Sequence, residues 1–299
     1  MISNLNNSKK SRFKIIVAML IWGTLGIFVK EIKLSSIEIA FYRSIIGCIF
    51  IIFLSLLKKE KQNLDNIKEN IKILIFSGIS LGLGWVLLFQ GYKNTTIANS
   101  TLSYYVAPIF IAILSSIVFK EKATLKKTLC ILGAMIGLIL IVNTKDTNST
   151  DYNHMVGIMY SVCAAIFYAI VVILNKFIKN LPSTIVTIIQ LFFSALVLLP
   201  MVYFNTRFNL SNLDIKSLIL LIIVGILHTG LAYLLYFTAI KDVEGQSIAI
   251  LSYIDPIFAV ILSGLLLNER LTLIQILGGI LILGSAFISE YGKKASNKN

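Results

Sequence analysis

Charged residues are scarce in this sequence, and histidine, cysteine and proline are scarcer still. Only 14% of its 299 residues are Asp, Glu, Lys or Arg, whereas 57% are hydrophobic. A soluble globular chain carries about 25% charged residues. The shortage of charge therefore excludes an ordinary soluble domain and is typical of a membrane protein.

The scarcity of ligand-forming side chains argues against enzyme chemistry. There are two histidines, and the three cysteines (Cys48, Cys130 and Cys163) lie singly in separate apolar blocks without metal or redox spacing. A membrane enzyme would need a nucleophile and base, or a set of metal ligands, at a reachable depth. We therefore expect no enzyme activity, no metal and no cofactor, and we interpret the cysteines as buried small apolar residues.

The apolar residues are concentrated in long blocks. About 20 apolar residues are needed for a helix to cross a hydrocarbon core of about 30 Å. We identify ten blocks of this kind, more than a soluble core would account for: 13–30, 36–57, 71–92, 97–119, 124–142, 155–176, 183–204, 217–240, 247–267 and 272–290. The sequence predicts an all-α protein with ten transmembrane helices.

The net charge of +13 comes from basic residues that favour one side of the membrane. If the N-terminus is cytoplasmic, segments on that side hold 19 of the 27 Lys and Arg residues, the other side holds 7, and Arg43 lies within the second block. This asymmetry follows the positive-inside rule. It predicts a multi-pass protein of the cell membrane with both termini in the cytoplasm, and it removes the reason to expect a nucleic-acid partner. We interpret the first block as a retained helix.

The second half of the chain repeats the first. YYVAPIFIAILSSIVFKEKATL (104–125) aligns with SYIDPIFAVILSGLLLNERLTL (252–273) at an offset of 148 residues. Offsets of 146 to 148 extend the match to Lys30/Lys176, Arg43/Gln190, Gly82/Gly230 and Lys93/Lys241. The first five blocks therefore correspond to the last five.

An odd number of helices in each copy determines how the copies are related. A second set of five helices enters the membrane from the opposite side, so we predict two inverted five-helix repeats. Residues 1–142 form the first repeat, 143–154 a linker and 155–299 the second repeat. Inverted repeats are typical of transporters that alternate access to a site near the midplane.

At this point the sequence resembles the EamA-type members of the drug/metabolite transporter superfamily. The resemblance rests on APIFIAILSSIVFKE and DPIFAVILSGLLLNE, and on the glycine-rich helices that follow them. It covers nearly the whole chain. It implies secondary transport of a small metabolite, since members of that family export amino acids and other metabolites.

The prolines and glycines of the blocks suggest a hinge role and a packing role. Pro108 and Pro256 each leave the carbonyl four residues earlier without a backbone donor, at Tyr104 and Ser252. We interpret the pair as hinges, although a static kink would give the same pattern. The GxxxG pairs Gly78/Gly82 and Gly133/Gly137 indicate close helix packing, in a monomer or a homodimer.

Aromatic residues that recur at matching positions of the two repeats are candidates for the cavity wall. The alternative is a place in the interfacial aromatic belts. Buried Tyr and Trp need a hydrogen-bond partner, which a polar cavity supplies. The candidate substrate-binding aromatic residues are the pairs Trp22/Tyr168, Trp85/Tyr233 and Tyr105/Tyr253, together with Tyr236.

Three ionisable side chains within the blocks are candidate functional groups, because such groups are costly in hydrocarbon. They are Arg43, His228 and Asp255, and Asp255 replaces the Ala107 of the first repeat. Asp255 either forms a structural pair with Arg43 or with tyrosines, or it binds an amino or cationic substrate or a coupling proton. His228 is expected at a similar depth and could share that proton. Glu121 and Glu269, at helix ends, are interpreted as gate or loop anchors.

These patterns together predict a secondary-active transporter of an amino acid or an organic cation or amine, working by alternating access. Its expected partners are the small-molecule substrate, the lipid bilayer and a coupling proton. The alternative is a membrane sensor or assembly partner that transports nothing.

Overall fold

The computed structural model describes residues 2–57, 64–120, 125–142, 153–206, 208, 213–240, 242–243, 245–269 and 271–291, and these are almost entirely helical with no strand among them. The α-helices are α1 (Ile2–Glu31), α2 (Ser36–Leu57), α3 (Leu64–Asn94), α4 (Ile97–Tyr104), α5 (Ala107–Val118), α6 (Leu125–Val142), α7 (His154–Asn175), α8 (Ser183–Thr206), α9 (Ile215–Ile223), α10 (Ala232–Ala239), α11 (Gly245–Ser252), α12 (Ile254–Leu267) and α13 (Leu273–Tyr291). A π-helix, Val224–Leu231, lies between α9 and α10.

Eight helical stretches in the described residues are long and apolar enough to cross a membrane. The fifth and tenth predicted blocks correspond instead to the shorter apolar helices Thr128–Val142 and Leu273–Ile288. Every predicted block thus lies on an apolar helix, while length and composition identify eight spans rather than ten. The chain is a multi-pass membrane protein.

Both proline-containing blocks are broken near their middle. The fourth block is divided into α4 and α5 after Tyr104, and the ninth into α11 and α12 at Tyr253. Pro108 and Pro256 lie in the first turn of α5 and α12, where a missing N–H is tolerated. The positions of the breaks are those that the two prolines predict; their role as hinges stays a prediction.

The eighth block contains the π-helix, which places His228 and Thr229 on a face turned to the rest of the protein. Both side chains are fully buried. The π-helix lies directly against α2, since a Cβ atom on Gly225 would come within 2.5 Å of Ile46. π-Helical turns are rare and frequently occur at functional sites.

Helix packing connects the two halves of the chain throughout. The α3 helix packs on α7 and α8, while the π-helix packs on α1 and α2 and α10 on α1. The α1 helix also packs on α12, as α5 packs on α7. Two further contacts join corresponding blocks directly, α2 with α8 and α6 with α13.

The GxxxG glycines lie at helix crossings within the chain. A Cβ on Gly78 or Gly82 would meet α8 at Gln190 or Ser194, at 2.8 and 2.6 Å. On α6, a Cβ on Gly137 would lie 2.6 Å from the carbonyl oxygen of Gly278 on α13. The packing interpretation of these glycines is therefore confirmed, because small residues are what permit this approach.

We expect Gly137→Ala to lower the stability of the protein. The added methyl group meets a backbone carbonyl that cannot move without shifting α13, and overpacking of this kind costs about 1–3 kcal/mol. Thermal unfolding in detergent measures the loss. The matched control is Gly284→Ala on α13, where a Cβ has no neighbour within 4 Å. Alanine lowers the conformational entropy of the unfolded chain, so this variant should gain roughly 0.5–1 kcal/mol in the free energy of unfolding. Equal melting temperatures for the two variants would contradict the packing argument.

Candidate functional site

Asp255 is the carboxylate around which the site is built. It lies in the first turn of α12 and is half-buried. The hydroxyl of Tyr105, at the end of α4, donates to Asp255 Oδ2 at 2.8 Å. The helix N-terminus favours a negative charge at this position. The break in the ninth block thus produces a carboxylate inside the protein, and within the described part of the chain its hydrogen-bond partner is one phenol.

The same phenol also contacts the carbonyl that Pro256 leaves without a backbone donor. Tyr105 Oη lies 3.4 Å from the carbonyl oxygen of Ser252. An unbonded carbonyl is costly in a membrane and needs a partner from protein or water. Tyr105 therefore joins the two breaks, since it lies beside its own and supplies the donor at the other.

A row of tyrosine rings extends from Asp255 to a narrow pocket. The ring of Tyr105 lies 6.4 Å from Tyr253 and 6.2 Å from Tyr104, and Tyr104 lies 5.8 Å from Tyr168. Trp85, Tyr104 and Tyr168 line the pocket, together with Ser80, Leu81, Gly84 and Ala164. Aromatic walls beside a carboxylate suit a cation, because ring faces attract positive charge.

Arg43 lies beside this pocket and is almost fully buried, at 2% exposure. Its guanidinium carbon is 4.0 Å from the centre of the Trp85 ring and 5.5 Å from that of Phe89. Its Nε donates to Thr229 Oγ1 at 2.7 Å, while its Nη1 has no hydrogen-bond partner among the residues that the structure describes. A buried guanidinium with a vacant donor is suited to an anionic group such as a carboxylate.

His228 is the second buried ionisable side chain of the eighth block. Its Nε2 lies 2.8 Å from Thr24 Oγ1, whose own proton is directed to the carbonyl of Ile21 at 2.7 Å. The imidazole tautomer sets which of these two atoms donates.

Trp22 connects α1 to the eighth block. Its Nε1 donates to the carbonyl of His228 at 2.8 Å, and its ring contacts Tyr233 and Tyr236, each at 5.4 Å. Tyr233 also lines a second pocket, between α2, α8 and α10, whose other lining residues include Ser55, Ser183, Thr184, Thr187 and Thr238. The aromatic candidates thus fall into two groups, one around Tyr104 and one around Trp22.

Among the described residues, the three ionisable side chains of the blocks are not paired with one another. Asp255 is bonded to Tyr105 rather than to Arg43, and His228 is bonded to Thr24 rather than to Asp255. Of the structural partners considered for Asp255, a tyrosine is the one observed. Position explains this. Arg43 faces α3 and Thr229 of the π-helix, and His228 faces Thr24 of α1. Asp255 faces Tyr105 at the end of α4.

Two tyrosines interact with both charges. Tyr92 and Tyr104 are each close enough to both Arg43 and Asp255 to interact electrostatically with them. In the described residues the carboxylate and the guanidinium are not bonded to each other, so neither charge is neutralised by the other. The site can bind an ammonium group at Asp255 and an anionic group at Arg43.

A buried ion pair closes one end of this region. Lys30 Nζ lies 2.5 Å from Glu269 Oε1, with side chains only 12% and 8% exposed. The other carboxylate oxygen accepts from the backbone N–H of Ile97 at 2.8 Å. Glu269 follows Asn268, whose left-handed φ of 54° ends α12 and turns the chain back. One carboxylate therefore holds together α1, the start of α4 and the end of α12.

Two ion pairs at the same face are exposed. Lys216 binds Glu31 at 2.5 Å and Lys33 binds Asp214 at 3.3 Å. The hydroxyl and backbone N–H of Ser217, followed by Lys33, hold the pKa of Asp214 below its ordinary value. Exposed pairs of this kind contribute little to stability.

The corresponding position in the first repeat is only partly described. Lys120 has a left-handed φ of 53°, like Asn268 at the offset of 148. Lys176, the counterpart of Lys30, donates from Nζ to Ser115 Oγ at 3.3 Å. Glu121, interpreted as a gate or loop anchor with Glu269, lies outside the described residues.

Sequence reasoning missed Tyr104 and Thr24, and it missed Thr229 as the partner of Arg43. Tyr104 corresponds to Ser252 in the second repeat, so a search for aromatic residues in both repeats excluded it. The two threonines are conspicuous only once Arg43 and His228 are seen to need partners. The cysteine interpretation was right for Cys48 and Cys130, which are buried, and wrong for Cys163, which lies on the outward face of α7.

The chain belongs to the EamA-like transporter family, whose profile matches residues 10–143 and again 155–291. It is 28% identical to the uncharacterized transporter YxxF of Bacillus subtilis (strain 168) over 90% of this chain and 86% of that protein. It is 24% identical to the uncharacterized inner membrane transporter YicL of Salmonella typhimurium, over 95% and 96%. These relatives support a membrane transporter.

A solved crystal structure superposes on the chain with a TM-score of 0.61 at 16% sequence identity, covering 93% of this chain and 97% of the other. At this identity the likeness concerns the fold alone.

Proposed function

We propose that this protein is a secondary-active transporter that moves a small metabolite carrying an amino or cationic group, by alternating access between two inverted five-helix repeats. The observation that carries the proposal is the Asp255 carboxylate, held at a helix break by Tyr105 and surrounded by tyrosine rings. An intramembrane carboxylate of this kind is a functional site by default.

Several features support two inverted repeats, 1–142 and 155–299, joined by the linker 143–154. The family profile matches twice, with boundaries close to these. The helix breaks and the left-handed residues Lys120 and Asn268 recur in both halves. Corresponding blocks also make corresponding contacts with the opposite half: the third block packs on the sixth and seventh, and its counterpart, the eighth, packs on the first and second. A twofold axis in the membrane plane accounts for this correspondence.

The gates of the proposed cycle follow from that topology. With both termini cytoplasmic, the Lys30–Glu269 pair lies at the outer face and is closed. The pocket lined by Ser55, Ser183 and Thr238 lies toward the cytoplasmic ends of α2, α8 and α10. A closed outer end together with a cytoplasmic pocket corresponds to the inward-facing state of an alternating-access transporter.

Asp255 and Arg43 limit the substrates of the proposed transporter. An organic cation would use the carboxylate and the rings around it, and an amino acid would in addition use the vacant Nη1 of Arg43. The amino group is the shared requirement. Purified protein should therefore show thermal shifts with members of a panel of amino acids and organic cations, and not with neutral sugars.

Flux distinguishes this function from a sensor or an assembly partner. Proteoliposomes containing the protein should take up the radiolabelled panel compound that gives the largest thermal shift, faster than empty liposomes do. A compound that binds without uptake in either direction would favour the sensor.

The topology has a test of its own. A thiol introduced as Asn148→Cys should react with an impermeant reagent from outside the cell; reaction only from the cytoplasm would overturn the inverted arrangement.

A further inference from the structure

Tyr105 has one hydroxyl proton and two acceptors. Its oxygen lies 2.8 Å from Asp255 Oδ2 and 3.4 Å from the carbonyl of Ser252. These acceptors belong to the two sides of one helix break, since Ser252 ends α11 and Asp255 lies in the first turn of α12. The Ser252 carbonyl depends on Tyr105 because Pro256 has no N–H to offer it.

The protonation state of Asp255 decides which acceptor is served. An ionised carboxylate can only accept hydrogen bonds, so the Tyr105 hydroxyl donates to it. The Ser252 carbonyl is then left without a full hydrogen bond. A protonated Asp255 donates a hydrogen bond to Tyr105 Oη. The Tyr105 hydroxyl can then donate its own hydrogen bond to the Ser252 carbonyl. In this state all groups are satisfied in a chain from Asp255 through Tyr105 to Ser252.

We propose that Tyr105 is the positioning residue that couples a proton on Asp255 to the geometry of the break between α11 and α12. Protonation completes the hydrogen-bonded chain and holds the break in one geometry. Deprotonation leaves the Ser252 carbonyl without the Tyr105 donor, and the bend then changes so that another donor can reach this carbonyl. The proposal rests on the proposed transport function, for which it supplies a link between proton and helix movement.

The other groups around Asp255 leave this role to Tyr105. Tyr92 on α3 and Tyr104 on α4 interact with Asp255 electrostatically, but the hydrogen bond comes from Tyr105. On α1, Gly23 faces the backbone of Asp255, and the charged Lys30 is bound to Glu269. At the break itself, the ring of Tyr253 packs against Phe287 of α13.

The test measures the bend and the proton separately. Spin labels at Ile250→Cys on α11 and Leu265→Cys on α12, both exposed positions, report the distance across the break in a background with Cys48, Cys130 and Cys163 replaced by alanine. The infrared band of a protonated carboxyl group, assigned by its loss in Asp255→Asn, reports the proton. Both are followed in nanodiscs over the pH range in which the protein stays folded.

In the wild type we expect the distance to change with pH in parallel with the Asp255 band. Tyr105→Phe should keep a titrating band and lose the change in distance. Tyr104→Phe, the matched control on the neighbouring ring, should retain both. Pro256→Ala restores a backbone N–H that can donate to the Ser252 carbonyl, so it should also abolish the pH response. This variant tests the acceptor end of the hydrogen-bonded chain.

A Tyr105→Phe protein with the wild-type change in distance would overturn the proposal, as would a wild type in which Asp255 does not titrate or titrates without any change in distance. None of these readouts needs a substrate. A failure of the transport function is read from flux in proteoliposomes, so the two failures are distinguishable.

Discussion

Asp255→Asn is expected to abolish or uncouple transport while leaving folding largely intact. The amide is nearly isosteric with the carboxylate, and it still offers an oxygen that accepts from Tyr105 at the start of α12. What it removes is the negative charge. A hydrogen bond to a charged group contributes about 1.5–3 kcal/mol, which is roughly tenfold or more in the affinity for an amino or cationic group.

Flux in proteoliposomes at several pH values measures this loss, and thermal unfolding in detergent checks the fold. The matched comparison is Ala107→Asp, which places a carboxylate at the corresponding position of the first repeat. Ala107 is only 3% exposed, so an unpaired charge there should harm expression, because a buried charge without a partner costs several kcal/mol, on the order of 3 or more. Wild-type flux with unchanged pH dependence in Asp255→Asn would make Asp255 a structural partner of Tyr105.

The helices and their breaks could be predicted from the sequence because each depends on local chemistry. Long apolar blocks dictate membrane helices, and two of these are broken beside a proline, at Pro108 and Pro256. Pro200, in contrast, lies inside α8 without ending it. The repeat then directed attention to Asp255, since a charge present in one copy and absent from the other is conspicuous.

The partners of the charged residues could not be predicted, because they depend on how helices distant in sequence pack. The π-helix is the clearest case. VGILHTGL (224–231) has no local signal for an extra residue per turn, and its geometry is fixed by neighbours: Ile46 against Gly225, Phe50 against Gly230, and Trp22 bonded to the carbonyl of His228. That geometry turns Thr229 toward Arg43 and His228 toward Thr24.

Glu269→Gln is expected to open the end of the protein where α1, α4 and α12 meet. The amide keeps an oxygen that can accept from the N–H of Ile97, so the start of α4 stays capped. It removes the charge that balances Lys30, whose side chain is 12% exposed. Removing one partner of a buried pair costs about 3–5 kcal/mol, and separation of the helices would relieve part of this cost by admitting water to Lys30.

Spin labels at Lys33→Cys, after α1, and Leu265→Cys, near the end of α12, measure the opening in the cysteine-free background. We expect a short, narrow distance distribution in the wild type and a longer, broader one in Glu269→Gln. Lys30→Met should give the same change, and the double variant should be no more open than either single variant, because the same interaction is lost in all three.

The control is Glu31→Gln, which breaks the neighbouring pair of Lys216 and Glu31, whose side chains are 62% and 42% exposed. Solvent already screens that pair, so its loss should leave the distance unchanged. If Glu31→Gln opened the structure as far as Glu269→Gln, burial of the Lys30–Glu269 pair would not be what keeps this end closed.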